Sequence, residues 1–297
     1  MGKKRKRSQS KRRMALKDFK PSKGMIMIFS IVFAVMIIIR GTFAWETYTS
    51  SKENKLGNIH FDVVLREKFT PNNEWYPGSE TLKKVYVMNE GNYKAFVRIS
   101  VEEYLLLFDI DIEGMNQAEG TANVKFVKDS KGKETIKQDS LSTWKKDAVY
   151  PVKVNNEAGF YQSKLTVPDI ISKDSPGLNY PRDEAKRKTT DLNYFKINFG
   201  DVKDYNNSLT KNYWKYGNDG YFYYSEILNP GEKTTLFMKS ISLFPTAPNR
   251  MKNGLYKANI SMDGSYSTRE TLGKWNHETE NDEIYKMLKS KITSQPE

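Results

Sequence analysis

The chain has no cysteine among its 297 residues. That excludes disulfide staples, thiol nucleophiles and cysteine-held zinc, so stability has to come from a packed core. Histidine is nearly as scarce, with only His60 and His277. Two histidines so far apart cannot form a His-Glu-x-x-His helix, and no Gly-x-Ser-x-Gly elbow or glycine-rich phosphate loop is present. This inventory points to a protein that is not an enzyme and uses no cofactor. The longest apolar run, Met25 to Ile39, has fifteen residues and contains Ser30. It falls short of the ~20 residues that cross ~30 Å of hydrocarbon. The carboxy-terminal residues Lys291 to Glu297 are polar and carry no wall-sorting pattern.

Net charge is nearly absent from most of the chain as well. The formal net charge is +12, but up to Ala44 there are twelve lysines and arginines against Asp18 alone, a net of +11. Residues 45–297 therefore carry +1, too little to argue for a nucleic-acid partner. The basic stretch Lys3 to Lys23, the apolar run, and then Arg40-Gly41-Thr42-Phe43-Ala44 follow the order of a secretory signal. Thr42 and Ala44 stand at −3 and −1 around a cut before Trp45. The reading is a signal peptide over residues 1–44 and a single secreted domain over 45–297. An uncleaved amino-terminal anchor is the alternative. Export without cysteine suits proteins of Gram-positive bacteria.

Beyond the signal, strand patterns dominate. Phe61, Val63 and Leu65 alternate with polar neighbours. Val85 to Met88, the turn residues Asn89-Glu90-Gly91-Asn92, and Val97, Ile99 and Val101 alternating with Arg98, Ser100 and Glu102 predict an antiparallel hairpin over residues 82–105. Tyr221 to Leu228, Asn229-Pro230-Gly231-Glu232 and Thr234 to Phe244 read as strand, turn, strand. Tyr256, Ala258, Ile260 and Met262 form the cleanest period-two run. Residues 128–147 and 172–192 read as exposed polar loops with short helical pieces. Ile284, Met287, Leu288 and Ile292 predict a carboxy-terminal helix capped by Asn281 or Asp282. Many short strands with peripheral helix predict an all-β fold, an antiparallel β-sandwich with loop insertions and a C-terminal helix.

Three segments carry a family resemblance. They are Gly41-Thr42-Phe43-Ala44-Trp45, then Asn89-Glu90-Gly91-Asn92-Tyr93-Lys94-Ala95-Phe96-Val97-Arg98-Ile99, then Gly220-Tyr221-Phe222-Tyr223-Tyr224 with Leu228-Asn229-Pro230-Gly231-Glu232-Lys233-Thr234. In this order they resemble the TasA/camelysin-type family of biofilm-matrix proteins. The resemblance implies a jelly-roll sandwich, export through a SipW-type signal peptidase, and self-assembly into extracellular or cell-surface fibres, with other matrix components as further partners. It also implies that the new amino-terminal segment, Trp45 to Gly57, adds as a strand to a neighbouring subunit. Trp45, Thr47, Tyr48 and Thr49 would form that strand. The residues alone favour a strand there through their β propensity. A frayed terminus, or pairing within its own domain, is the competing reading.

Other candidates have two readings each. Arg98 is either a partner anchor or a strand arginine paired with a nearby acid. Gly91 and Gly231 read as turn glycines. The aromatic set Tyr213, Trp214, Tyr216, Tyr221, Phe222, Tyr223 and Tyr224 reads as core, or as a sugar-stacking platform of an adhesin. Asp109, Asp111 and Glu113, at i, i+2 and i+4, read as a solvated acidic edge or a Ca²⁺ site. Because camelysin-like relatives have been classed as metallopeptidases, His60 and His277 with distant carboxylates stand as a minor secreted-metalloprotease alternative.

Overall fold

A computed structural model describes residues 61–69, 75–112, 123–172, 176–277, 279 and 281–293. Twelve strands run in the order β1 (Val63–Phe69), β2 (Glu80–Asn89), β3 (Ala95–Phe108), β4 (Phe126–Val127), β5 (Val149–Val154), β6 (Glu157–Val167), β7 (Leu178–Tyr180), β8 (Phe195–Phe199), β9 (Trp214–Tyr216), β10 (Phe222–Tyr224), β11 (Met238–Leu243) and β12 (Leu255–Tyr266). Among the described residues three α-helices, α1 (Glu184–Lys188), α2 (Arg269–Lys274) and α3 (Glu283–Thr293), are peripheral. The predicted all-β sandwich with a carboxy-terminal helix is what the chain forms.

One sheet has the order β1-β2-β11-β8. The other is organised on β3. Along one side β3 pairs with β12 through twelve antiparallel residue pairs, from Leu255↔Leu106 to Tyr266↔Ala95. Along its other side it meets β10, β7 and β6 in turn. Five of the eleven connections between consecutive strands change sheets: β2 to β3, β7 to β8, β8 to β9, β10 to β11 and β11 to β12.

That wrapping overturns the predicted hairpins. The strands around residues 82–105 do form, but β2 pairs with β1 and β11, whereas β3 lies in the opposite sheet. The strands flanking Asn229-Pro230-Gly231-Glu232 are split between the sheets in the same way. The physical reason is the apolar face that each strand must bury. Val85 and Val87 of β2 meet Val97 and Ile99 of β3 within one core. They do so face to face across the sandwich, not side by side within a sheet.

The two polar insertions also differ from expectation. Residues 128–147 contain Ile136 and Trp144, each about 1% exposed. With Ala148 and Ile171 they pack on Tyr104, Leu106 and Phe108, the outward face of β3. Residues 172–192 contribute β7, α1 and a buried Arg187. Arg187 forms a two-pronged ion pair with Glu103, Nε to Oε2 at 2.5 Å and Nη2 to Oε1 at 3.1 Å. Tyr256 donates its hydroxyl to Glu103 Oε1 at 2.8 Å, and Arg187 also donates to the Phe195 carbonyl. Glu103 is completely buried, so its charge is held only by these partners. Polar composition concealed a few well-placed anchors.

The carboxy-terminal helix is as predicted. Ile284, Tyr285 and Leu288 are buried against Phe96, Tyr223, Leu272 and Trp275. Asp282 is its cap, with Oδ1 accepting from the N–H groups of Ile284 (2.7 Å) and Tyr285 (3.2 Å).

Arg187→Ala leaves Glu103 buried without a counter-charge. It is expected to destabilise the protein by roughly 3–5 kcal/mol in urea unfolding of the full chain. A loss below about 1 kcal/mol would mean that water reaches Glu103 and that this pair does not tie the 172–192 segment to the sandwich.

Candidate functional site

The two motif segments lie some 130 residues apart in sequence and close into a single clasp where the chain crosses between sheets. Asn89 is at its centre. Its Nδ2 donates to the carbonyls of Tyr93 (2.7 Å) and Leu228 (2.9 Å), and its Oδ1 accepts from Gly91 N at 3.0 Å. Its backbone exchanges bonds with the other segment, Asn89 N to Glu232 O and Gly231 N to Asn89 O, both 2.9 Å. Ala95 and Leu228 bond reciprocally at 2.9 Å. Thr234 N donates to Val87 O at 2.8 Å, and Thr234 Oγ1 accepts from Val87 N at 2.9 Å.

The turn chemistry fits this arrangement. Glu232 N closes on Asn229 O at 3.0 Å, with Pro230 and Gly231 as the central residues. Gly231 has φ +79°, the left-handed value this turn requires of its third residue. Glu232 Oε2 accepts from both Asn229 N and Nδ2 at 2.9 Å. Gly91 serves differently: it is buried, and its N–H, like that of Glu90, donates to Asp62 O. The clasp thus also grips the residue just before β1.

The second half of the motif builds a polar network on the outer face of β3. Arg98 lies directly opposite Asp263 of β12 and binds its Oδ2 through Nε (3.0 Å) and Nη2 (2.9 Å). The guanidinium lies 4.0 Å from the Tyr221 ring centroid and 4.8 Å from that of Trp275. Trp275 Nε1 donates to Asp263 at 3.1 Å. Of the two readings for Arg98, the structure shows the paired one, with a side chain only 14% exposed. Arg98 Nη1 also donates to the Tyr223 hydroxyl at 3.1 Å. That hydroxyl donates to Asp219 Oδ2 at 2.7 Å and contacts His277 Nε2 at 2.8 Å. The other imidazole nitrogen, Nδ1, bonds Asp282 Oδ2.

Local chain signals place His277. Helix α2 ends with Asn276 at φ +60°, with Asn276 N bonding Gly273 O (3.0 Å) and His277 N bonding Leu272 O (2.8 Å). This is the Schellman pattern of a helix end, and it turns His277 back onto Tyr223. Burial lowers the His277 pKa, but Asp219 and Asp282 outweigh that and hold it above the ordinary imidazole value. Burial raises Asp219 and Asp282, and His277 overcomes it, so both stay below the usual carboxylate range. Burial and the bond to Asp219 push Tyr223 far upward.

The remaining candidates separate. Thr42, Ala44, Trp45, Thr47, Tyr48, Thr49, His60 and Glu113 lie outside the described residues. Asp109 pairs with Lys164 at 3.3 Å, while Asp111 is exposed. Among the described residues no group of three or more His, Asp or Glu is arranged to hold a metal. Both ring nitrogens of His277 are engaged by protein groups, which leaves neither for a metal. Trp214, Phe222, Tyr223 and Tyr224 of the aromatic set are buried. Sequence reasoning missed Asp219, Asp263 and Trp275, which join Arg98 and His277 only through the fold.

Thr234→Val keeps the side-chain shape but strands the buried Val87 N–H, and is expected to cost about 1–3 kcal/mol. Asn89→Ala strands the Tyr93 carbonyl, removes one bond each from Leu228 O and Gly91 N, and should cost more. Equilibrium denaturation of the two variants checks this ordering; equal, near-zero losses would show that water replaces the clasp.

The chain matches no protein-family model, no curated protein and no solved structure, so its site is read from its own geometry.

Proposed function

We propose that this chain is an exported structural subunit that assembles into extracellular matrix or cell-surface fibres, each subunit adding an amino-terminal strand to the next. The observation that carries this reading is the outer edge of β12. Among the described residues, β12 is paired over twelve residues with β3 on one side and with no strand on the other. A strand edge without a partner strand presents main-chain N–H and C=O groups as a template for strand addition, although Tyr266 O at its end already accepts from Thr268 N and Thr271 Oγ1. The segment Trp45 to Gly57 has thirteen residues and matches that edge in length.

Position supports the pairing. The segment precedes β1, and β1 lies against the β12 end of the sandwich, with Gly264 facing Val63. Phe61 stacks on Tyr266 at 4.6 Å between ring centroids, and Tyr93 packs edge-on to Tyr266 at 5.7 Å. An added strand would find an aromatic surface there. Addition to a neighbour's edge does not close on itself and gives filaments. Homopolymerisation makes the chain its own principal partner, after processing by a signal peptidase of the SipW type. The fibre role needs no catalysis.

The test compares two purified forms, one beginning at Trp45 and one at Asn58, by size-exclusion chromatography and negative-stain microscopy. Filaments or large oligomers from the longer form alone are expected. Monomers from both, under conditions that favour assembly, would sink strand addition and favour a monomeric surface adhesin.

A further inference from the structure

We infer that the α2–α3 pair is a pH-released cap over the outer face of β3 and β10, latched by a doubly protonated His277 held between Asp282 and Tyr223. The protonation state follows from hydrogen-bond accounting. The Tyr223 hydroxyl has one proton, which it gives to Asp219, so it can only accept from Arg98 and His277. His277 Nε2 must therefore carry a proton. Nδ1 faces the Asp282 carboxylate and must carry one as well. Both ring nitrogens donate, which defines the imidazolium.

Every element packed around the ring contributes to its charge balance. Arg98 comes from β3, Asp263 from β12, Asp219 and Tyr223 from the β9–β10 turn and β10, and Asp282 from the start of α3. Beside them Lys215 of β9 bridges Asp204 (2.8 Å) and Glu283 (3.3 Å). Asp219, Asp263 and Asp282 face Arg98 and His277, so loss of the imidazolium proton leaves three carboxylates against Arg98. Whichever nitrogen loses its proton, one acceptor then faces another acceptor. Asp282 makes this a matter for the helix itself, because the same carboxylate caps α3 through Ile284 N and Tyr285 N. Beneath the cap lie Phe96 and Tyr223, both fully buried. Release uncovers an aromatic face of the main sheet.

The direction of the response follows from the raised His277 pKa. Below the free-imidazole value near 6.5 both docked and open caps hold the proton, and docking is at full strength. Above it the open cap loses the proton first. The docking equilibrium then weakens about tenfold per pH unit until the docked pKa is passed. Asp219 and Asp282 are lowered. Their contribution is present above the ordinary carboxylate value and is lost as pH falls through their docked values.

The experiment follows hydrogen exchange across residues 269–293 of the full chain against pH, corrected for intrinsic rates. Alongside it runs an NMR titration of the two histidines, assigned with His277→Gln. Protection of 269–293 is expected to fall about tenfold per pH unit above pH ~6.5, while β3 and β12 keep theirs, and His277 should titrate above the ordinary imidazole value. In Asp282→Asn the side chain still caps the helix, but the His277 midpoint and the release both move to lower pH. A His277 midpoint at or below the ordinary value would overturn the latch. So would protection of 269–293 that is flat with pH, or lost together with the whole sandwich.

Discussion

Because β3 runs fourteen residues with side chains buried on both faces, a two-layer sandwich alone cannot shelter it. Its odd-numbered side chains, Val97, Ile99, Val101, Leu105 and Leu107, face the opposite sheet. Its even-numbered ones need a second shelter, and two different pieces of chain supply it. Phe96 is covered by α2 and α3, and Tyr104, Leu106 and Phe108 by the 128–171 region. The architecture is thus a sandwich with two added roofs over one strand. Apolar surface drives both roofs down, since burial is favourable wherever it occurs.

Apolar contact alone is not directional, and the charged residues of β3 fix what it leaves open. Glu103 has inward parity, and the two-pronged approach of Arg187, with the Tyr256 hydroxyl, satisfies it. That fixes where the 172–192 segment can sit. Arg98 has outward parity, and its partners Asp263, Tyr223, Tyr221 and Trp275 are satisfied together in one placement of α2. For Glu103 and Arg187, removing one partner is far costlier than the net contribution of the pair. A misplaced Arg187 would leave Glu103 an unpaired buried charge.

The strand content was legible because period-two alternation survives wherever one face is exposed, as in Tyr256, Ala258, Ile260 and Met262. The carboxy-terminal helix was legible down to Asp282, because capping is local chemistry. Sheet membership was not. The turn at Asn89 looks the same in sequence whether it joins neighbours in one sheet or arches between sheets, and what decides is the distant Leu228 to Thr234 loop. Glu103 carried a signal that could have been used: it continues the inward series of Val97, Ile99 and Val101, and a carboxylate at a core position demands a buried cation. The Arg98 network gave less warning. Asp219, Asp263 and His277 each look ordinary alone, and only the fold brings them together.

Asp263 belongs to two parts of the structure at once. It is a residue of β12, whose outer edge is the proposed site of strand addition, and it accepts the indole N–H of Trp275 in the loop that follows α2. Release of the cap breaks that indole bond. It leaves the two Arg98 bonds, which lie within the sheet between directly opposed residues. The β12 backbone also keeps its twelve pairs with β3. The edge therefore keeps its shape in either state of the cap, and what changes is the face beside it. A fibre built on that edge would hold together through main-chain pairing while its aromatic surface is covered when one histidine is protonated and exposed when it is not.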